Sequence, residues 1–554
     1  MKILSTPRRR VIGFLVSLAW LGAPLRATAQ VPEVVVLRGL MAAARVPGAR
    51  WPDFPRYVDD VARLYASHDM APIWLRTGRF SVAGRAAIDA LLDAGSHGLE
   101  PRDYDAAALD SLARGSEKAP LTPAERGRVD LMLTVDLMSY LDDLRHGRTK
   151  AVVGSGSVIP SGPQDRAGAI SRALAGDSVG ALVTQAAPAL TQYRNLRSLL
   201  ERYRRLAATG GYAPLPPGSV AGPGQGYAAL PELRRRLTVL GDLGPEGRAE
   251  DDTLYAGAMV EAIRRFQQRH GLVVDGIIGP GTLAALNVPL THRVRQIELA
   301  LERLRWLPPL GREPFIVVNI PAFQVFAFDS AGGTGAPSFS SRVVVGRALD
   351  TETPVLYELL RYVEFRPYWN VPRSILIHEI LPALRREPGY LQAHDMEIVG
   401  PADRSLGAGV TDDLRRRLLR GELRIRQRPG PSNALGLVKL VFPNAASVYL
   451  HDTPNTELFD RSRRDFSHGC IRVEDAEGLA AWVLRDQAVW APDHVRAAMD
   501  GSSTKRALLT RPMAVAIVYN TAVATPSGEA WFFGDIYGHD VDLEEALRAG
   551  PLPP

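Results

Sequence analysis

From about Trp51 to Leu206 apolar residues recur every third or fourth position, the rhythm of helices that bury one side. The stretch "LTPAERGRVDLMLTVDLMSYLDDLRHG" shows it best: Leu131, Val135, Met138 and Leu141 step by four, three and three, predicting one apolar face. Thr122 with Glu125 makes a capping box, Pro123 takes the first helical position, and His146-Gly147 closes the segment. Residues 30–208 are therefore expected to be a helical scaffold. From Pro314 the period shortens to that of strands. "PFIVVNI", "FQVFAFD", "SRVVVGR", "LGLVKLVFP" and "SVYLHD" are β-branched and aromatic runs cut by Pro, Gly and Asn, so 291–554 reads as a mostly β domain. Two segments stand out within it. Arg373–Arg428, with "SILIHEILPALRREPGYLQAHD" and "DDLRRRLLRGELRIR", reads as a helical capping insertion. "MAVAIVYNTAVATPSGEAWFFGDIYGHD", inside 506–554, reads as two strands about a "PSGE" turn that rejoin the sheet. The expected fold class is α+β, multidomain.

Between these regions, "TGGYAPLPPGSVAGPGQG" is dense in Gly and Pro and marks a connector over 209–227. A small unit follows at 228–290: Leu233, Leu237 and Leu240 on one helix, Met259, Ile263 and Phe266 on a second, an Asp275-Gly276 turn, and a short third helix opened by Thr282. Its text, "AIRRFQQRHGLVVDGIIGPGTLAALN", resembles the three-helix peptidoglycan-binding module of wall enzymes. That resemblance implies contact with glycan strands.

At 554 residues the chain is too long for one core. Its net charge of +6 suggests a nucleic-acid partner until the charge is located. Lys2, Arg8, Arg9, Arg10 and Arg26 fall within residues 1–29, which hold no acid, so the rest of the chain is nearly neutral. No nucleic-acid partner is expected. Those first residues run basic "MKILSTPRRR", apolar "VIGFLVSLAWLG", then "ATAQ", the pattern of a signal peptide cleaved after Ala29. Export to the periplasm is expected, with no membrane span once the leader is removed.

An exported chain with a single cysteine, Cys470, cannot close an internal disulfide. A thiol used as a nucleophile needs a base and positive surroundings. His451 ends the strand-like "SVYLH", nineteen positions upstream, and a loop holding Arg461, Arg463 and Arg464 is long enough to bring the two together. His468, two residues before the thiol, competes for the role of base. Gly469 frees the backbone beside the sulfur so that amides there can face an oxyanion, and Arg472 is placed to hold a carboxylate or brace the loop. No metal-ligand spacing, P-loop or dinucleotide fingerprint is present in the sequence, and no cofactor is expected.

The stretch "HDTPNTELFDRSRRDFSHGCIRVEDA" resembles the signature of the L,D-transpeptidases, a His followed after about eighteen residues by Ser-His-Gly-Cys. The likeness extends to "RQRPGPSNALGLVKLVFPN", "FRPYWNVPRSI", "GDIYGHD" and "HGLEPRDY", matching the large periplasmic branch with scaffold, wall-binding module and capped catalytic domain. It implies a thioester mechanism that releases D-alanine from a stem peptide and cross-links peptidoglycan, with carbapenem β-lactams as covalent inhibitors. Carried onto this chain, it implies Cys470 as nucleophile and His451 as base. Ser467, His468, Gly469 and Arg472 would form the oxyanion side, and Asn433, Tyr449 and Trp369 would touch substrate. Some members of that branch have Ser where this chain has His468. Two other activities stay open at this point: hydrolysis of the same thioester, and a wall-binding scaffold without catalysis.

Overall fold

A computed structural model describes residues 32–149, 165–176, 178–210, 212–218, 220–244, 253–330, 333, 335–348 and 351–550. The leader expected at 1–29 lies outside the described residues. Among those described, no helix is long and apolar enough to cross a membrane.

The N-terminal part is built round the helix Pro123–His146. Its start is the capping box foreseen: Thr122 Oγ1 accepts from the Glu125 amide at 3.3 Å, and the Glu125 carboxylate accepts from the Thr122 amide at 2.8 Å. The single apolar face is not what forms. Buried residues run round the whole helix, because Glu33–Ala42, Val82–Leu92 and Val179–Ala186 all pack against it. The polar residues this encloses find partners: Asp130 accepts from the Tyr65 hydroxyl and the amides of Ile73 and Trp74.

A second core gathers segments that the sequence keeps apart. The helix Thr191–Ala208 lies along Leu290–Arg305, and the small unit Leu230–Leu240, Ala258–Arg269 and Pro280–Leu286 packs with both. Leu290–Arg305 thus joins a helical core rather than the β domain to which its sequence position assigned it. The C-terminal strands also depart from expectation. Only Lys505–Val518 enters the main sheet; Ala522–Ala524 and Ala530–Phe532 form a separate hairpin whose Ala522, Ala524, Ala530 and Phe532 are buried against these helices. The ladder ends where Asn319 donates to the Asn520 carbonyl at 3.0 Å and accepts from the Asn520 amide at 2.9 Å.

The main sheet comprises β1 (Phe315–Asn319), β2 (Gln324–Phe328), β3 (Phe339–Gly346), β4 (Leu356–Phe365), β5 (Val438–Val441), β6 (Leu450–His451), β7 (Asp465–Ser467), β8 (Ile471–Val473) and β9 (Lys505–Val518). Its order is β7-β3-β8-β6-β5-β4-β9-β1-β2, and β2 also pairs with β3, closing the sheet on itself. One face buries Val343, Val345, Val363, Leu440, Leu450 and Ile471 beneath the helix Ala476–Leu484.

The insertion between β4 and β5 has its own apolar core, including Ile375, Leu384, Met396, Leu418 and Ile425. It is not purely helical. Met396–Val399, Arg424–Gln427 and Trp369–Asn370 form a three-stranded antiparallel sheet. "RIRQ" shows the reason: Ile425 and Gln427 are buried while Arg424 and Arg426 face outward, a period of two.

Candidate active site

The parallel pairing of β6 with β8 sets Leu450 beside Ile471 and His451 beside Arg472. Leu450 and Ile471 point into the core, so by alternation Tyr449, His451, Cys470 and Arg472 share the opposite face. The Ile471 amide donates to the Tyr449 carbonyl at 3.0 Å, which puts Tyr449 alongside Cys470. On the far side of β6, antiparallel β5 adds Lys439 opposite His451, and β4 adds Glu364 opposite Lys439. One row of side chains therefore reads Glu364, Lys439, His451, Arg472, with Tyr449 and the cysteine one step along.

A tight turn delivers the cysteine. Gly469 has φ of +106°, in the region that favours glycine. Ser467 clamps the turn: its hydroxyl donates to the Cys470 carbonyl at 2.5 Å and accepts from the Gly469 amide at 3.1 Å. Of the amides expected to face an oxyanion beside the sulfur, that of Gly469 is already engaged by Ser467, whose side chain faces the backbone. Support comes from outside the motif. Thr353 donates to the Gly469 carbonyl at 2.8 Å, Thr351 to the Ser467 carbonyl at 3.1 Å, and the Tyr537 hydroxyl to the Gly346 carbonyl at 2.6 Å. The "GDIYGHD" segment is thus a pillar beneath the cysteine turn.

His451 is buried, and its Nδ1 lies 2.5 Å from the Asp452 carbonyl. A carbonyl only accepts, so Nδ1 carries the proton and Nε2 keeps its lone pair. Burial pushes the imidazole pKa down to about 3; the Asp452 bond opposes this, while Arg472 and Lys439 reinforce it. The ring is neutral at any physiological pH. Burial likewise raises the Cys470 pKa, against hydrogen bonds from the amide and hydroxyl of Tyr449 and the positive charges of Lys439 and Arg472. The resting pair is thiol and neutral imidazole. The sulfur lies 3.8 Å from the Ser447 carbonyl.

The remaining candidates separate. His468 is engaged by the insertion, its Nε2 meeting Glu379 Oε1 at 2.7 Å. Asn433 is fully buried: its amide nitrogen donates to the carbonyls of Arg428 and Pro367 at 2.8 and 3.2 Å, and its oxygen accepts from the Leu435 amide at 2.8 Å. It braces the base of the insertion and has no atom left for substrate. Trp369 pairs with Gln427 in the small sheet and packs on the insertion's core. Of the three residues expected to touch substrate, Tyr449 alone stands beside the cysteine. Lys439 and Glu379 are additional site residues; the apolar alternation of Val438, Leu440 and Val441 around Lys439 marked a strand but not a site.

Comparison with known proteins agrees with this layout. Residues 313–495 match the L,D-transpeptidase catalytic domain, 227–286 a peptidoglycan-binding domain and 59–200 a scaffold domain. A Haemophilus influenzae protein assigned by name to the L,D-transpeptidases is 31% identical over 254 residues, 46% of this chain. The chain spans about half of that relative, 49% of its length. The N-acetylmuramoyl-L-alanine amidase CwlM of Mycobacterium tuberculosis is 41% identical over 69 residues, 11% of this chain and 17% of its own. A solved L,D-transpeptidase of Xylanimonas cellulosilytica aligns at 14% identity over 55% of this chain and 100% of its own, with a TM-score of 0.17 that bears no weight. Three regions of the chain thus match, in order, a scaffold domain, a peptidoglycan-binding domain and an L,D-transpeptidase catalytic domain.

Proposed function

We propose that this chain cross-links peptidoglycan stem peptides through a thioester on Cys470. The observation that carries the reading is the β6–β8 register, which sets a neutral imidazole with a free Nε2 on the same face as the chain's one thiol. His451 takes the thiol proton as sulfur attacks the carbonyl before the terminal D-alanine, then returns it to the departing amine as the C–N bond breaks. A second stem's amine attacks the thioester carbonyl and passes a proton to His451; the new C–N bond forms as the C–S bond breaks, and His451 returns the proton to the sulfur. The Gly469 amide is held by Ser467, whereas the Cys470 amide donates to no protein oxygen among the described residues, so it is the nearer donor for the developing oxyanion. The peptidoglycan-binding domain keeps the enzyme on the wall, in the periplasm.

Intact-mass measurement with a carbapenem tests the nucleophile. Wild type gains one adduct and Cys470→Ala none; an adduct on the variant rules the assignment out. Disaccharide-tetrapeptide then reads the reaction itself. Dimers indicate transfer, and tripeptide monomers alone indicate a hydrolase.

A further inference from the structure

Lys439 is an unusual cation. Its carbon stem is half-buried, and its Nζ lies 3.9 Å over the ring of Tyr449, the residue whose hydroxyl reaches the Cys470 sulfur. Among the described residues it has no ion pair and no hydrogen bond to an acceptor. Glu364, directly opposite in the sheet, is the obvious partner, but its carboxylate is held by Arg506 at 3.0 Å from β9. His451 on β6 is neutral and offers no counter-charge, and Arg472 on β8 is a second cation without an ion pair among the described residues. Burial lowers the Lys439 pKa, while Glu364 and the Cys470 sulfur pull it back up. A half-buried ammonium with only a ring for company is a poor structural element, because it has lost water and gained little.

The chemistry that fills this place is an anion delivered with the substrate. In the reaction proposed above, on which this step rests, the residue that leaves ends in a free carboxylate. That carboxylate is three bonds from the carbonyl carbon that sulfur attacks, so at ordinary bond lengths it lies within about 4 Å of the reacting carbon. We infer that Lys439 binds the terminal carboxylate of the donor peptide, with Arg472 beside it, and so selects donors that end in a free acid one residue beyond the bond to be cut. Until a donor arrives, the Tyr449 ring holds the ammonium in position.

The test compares two donors on the full chain, a stem tetrapeptide ending in D-alanine and the same peptide ending in D-alanine amide. Release of D-alanine or its amide gives kcat/KM. Losing one charged contact to a carboxylate costs roughly 10- to 150-fold. Lys439→Met is expected to lose about that factor on the acid donor and under about threefold on the amide. Lys439→Arg, which keeps the charge and guards against a folding defect, is expected to stay within about tenfold of wild type on the acid. The midpoint of Cys470 alkylation by iodoacetamide, a neutral probe, is expected to rise in Lys439→Met because a positive charge near the sulfur is lost. That shift acts on both donors alike, so the difference between donors is the readout. Equal losses on both donors would make Lys439 a counter-charge for the thiolate alone and overturn the inference. No loss on either donor overturns it as well. A wild type that releases neither leaving group while iodoacetamide still labels Cys470 instead removes the transpeptidase reading, and this inference with it.

Discussion

In the helical half of the chain Arg305 is fully buried, and its guanidinium meets acceptors on every side. Glu302 accepts at 2.7 Å, the Tyr193 hydroxyl at 3.1 Å, and the His97 carbonyl completes the set. Glu302 in turn accepts from the Arg148 and Thr149 amides at 2.6 and 3.1 Å. Arg166 is treated the same way by Asp142 and Asp60. On the catalytic sheet the pattern reverses. Lys439 and Arg472 have no ion-pair partner among the described residues, His451 keeps a free lone pair, and Cys470 rests against a distant carbonyl. Saturated charges hold segments together; unsaturated ones are kept open for something that arrives. Asp136 tests the rule inside the helical half, since its Oδ2 finds no partner. Burial, with the nearby Asp105, holds that carboxyl well above the usual range and so disfavours a bare charge there. Open valences also occur singly elsewhere, at Arg236 Nε and Trp306 Nε1 for example; what sets the sheet apart is their gathering beside the one thiol.

The largest effect falls on the open side. His451→Ala is expected to slow carbapenem acylation of Cys470 by roughly 10²- to 10⁴-fold while leaving the melting temperature nearly unchanged. A loss under about fivefold breaks the contrast, because the free Nε2 would then be as idle as a structural nitrogen. The pH profile sharpens it. A base whose pKa is depressed to about 3 is already deprotonated at pH 5, and a thiol whose pKa is raised is still protonated at pH 8. The same neutral pair is present throughout, so the acylation rate is expected to vary less than about twofold from pH 5 to 8. An inflection between pH 6 and 7 that disappears in His451→Ala shows an imidazole titrating in place and sinks the electrostatic account.

On the saturated side the effect moves to stability. Arg305→Met leaves Glu302 buried without its ion-pair partner, expected to cost about 3–5 kcal/mol of folding free energy. The acylation rate per folded molecule should not move. Denaturation with parallel mass-spectrometric labelling measures both. A stable variant with slowed chemistry would place Arg305 in the machinery and undo the distinction drawn above.

How much of this was legible in the sequence follows the range of each signal. The Thr122–Glu125 capping box and the "SVYLH" strand depend on neighbours a few residues apart; the box formed in full and the strand only as Leu450–His451. "SHGC" gave a cysteine turn, yet it did not say that Ser467 would hold the Gly469 amide, because that is decided by dihedral angles rather than by composition. The helical reading of "GELRIR" failed where charged residues alternate with a single isoleucine; the partners that make it a strand, Met396–Val399, lie well upstream. The hairpin at 522–532 formed about its turn but did not rejoin the main sheet, for a similar reason. Its strands have the right pattern for a sheet, but the surface that buries them is made by the helices Thr191–Ala208, Ala258–Arg269 and Leu290–Arg305, more than about two hundred residues earlier. Asn433 and Trp369 sat in recognisable motifs, and a motif does not tell a residue that supports a site from one that touches substrate.

The smallest expected effect concerns the place where the two regimes meet. Glu379 belongs to a π-helical turn, Leu376–Ile380, and its carboxylate is the insertion's contact with the cysteine turn through His468. Both side chains are substantially exposed, 51% and 41%, so the contact is close like a structural one but wet like a surface one. Exposed pairs contribute about 0–1 kcal/mol and weaken further in salt. Glu379→Gln is therefore expected to slow cross-linking by no more than about fivefold, with the deficit shrinking above roughly 0.5 M salt, and to leave carbapenem acylation within about twofold. A deficit of a hundredfold that salt does not touch would mean that the contact is dry and rigid when substrate is bound. The insertion would then close over the thiol during the reaction, and His468 would belong with the open valences rather than at their rim.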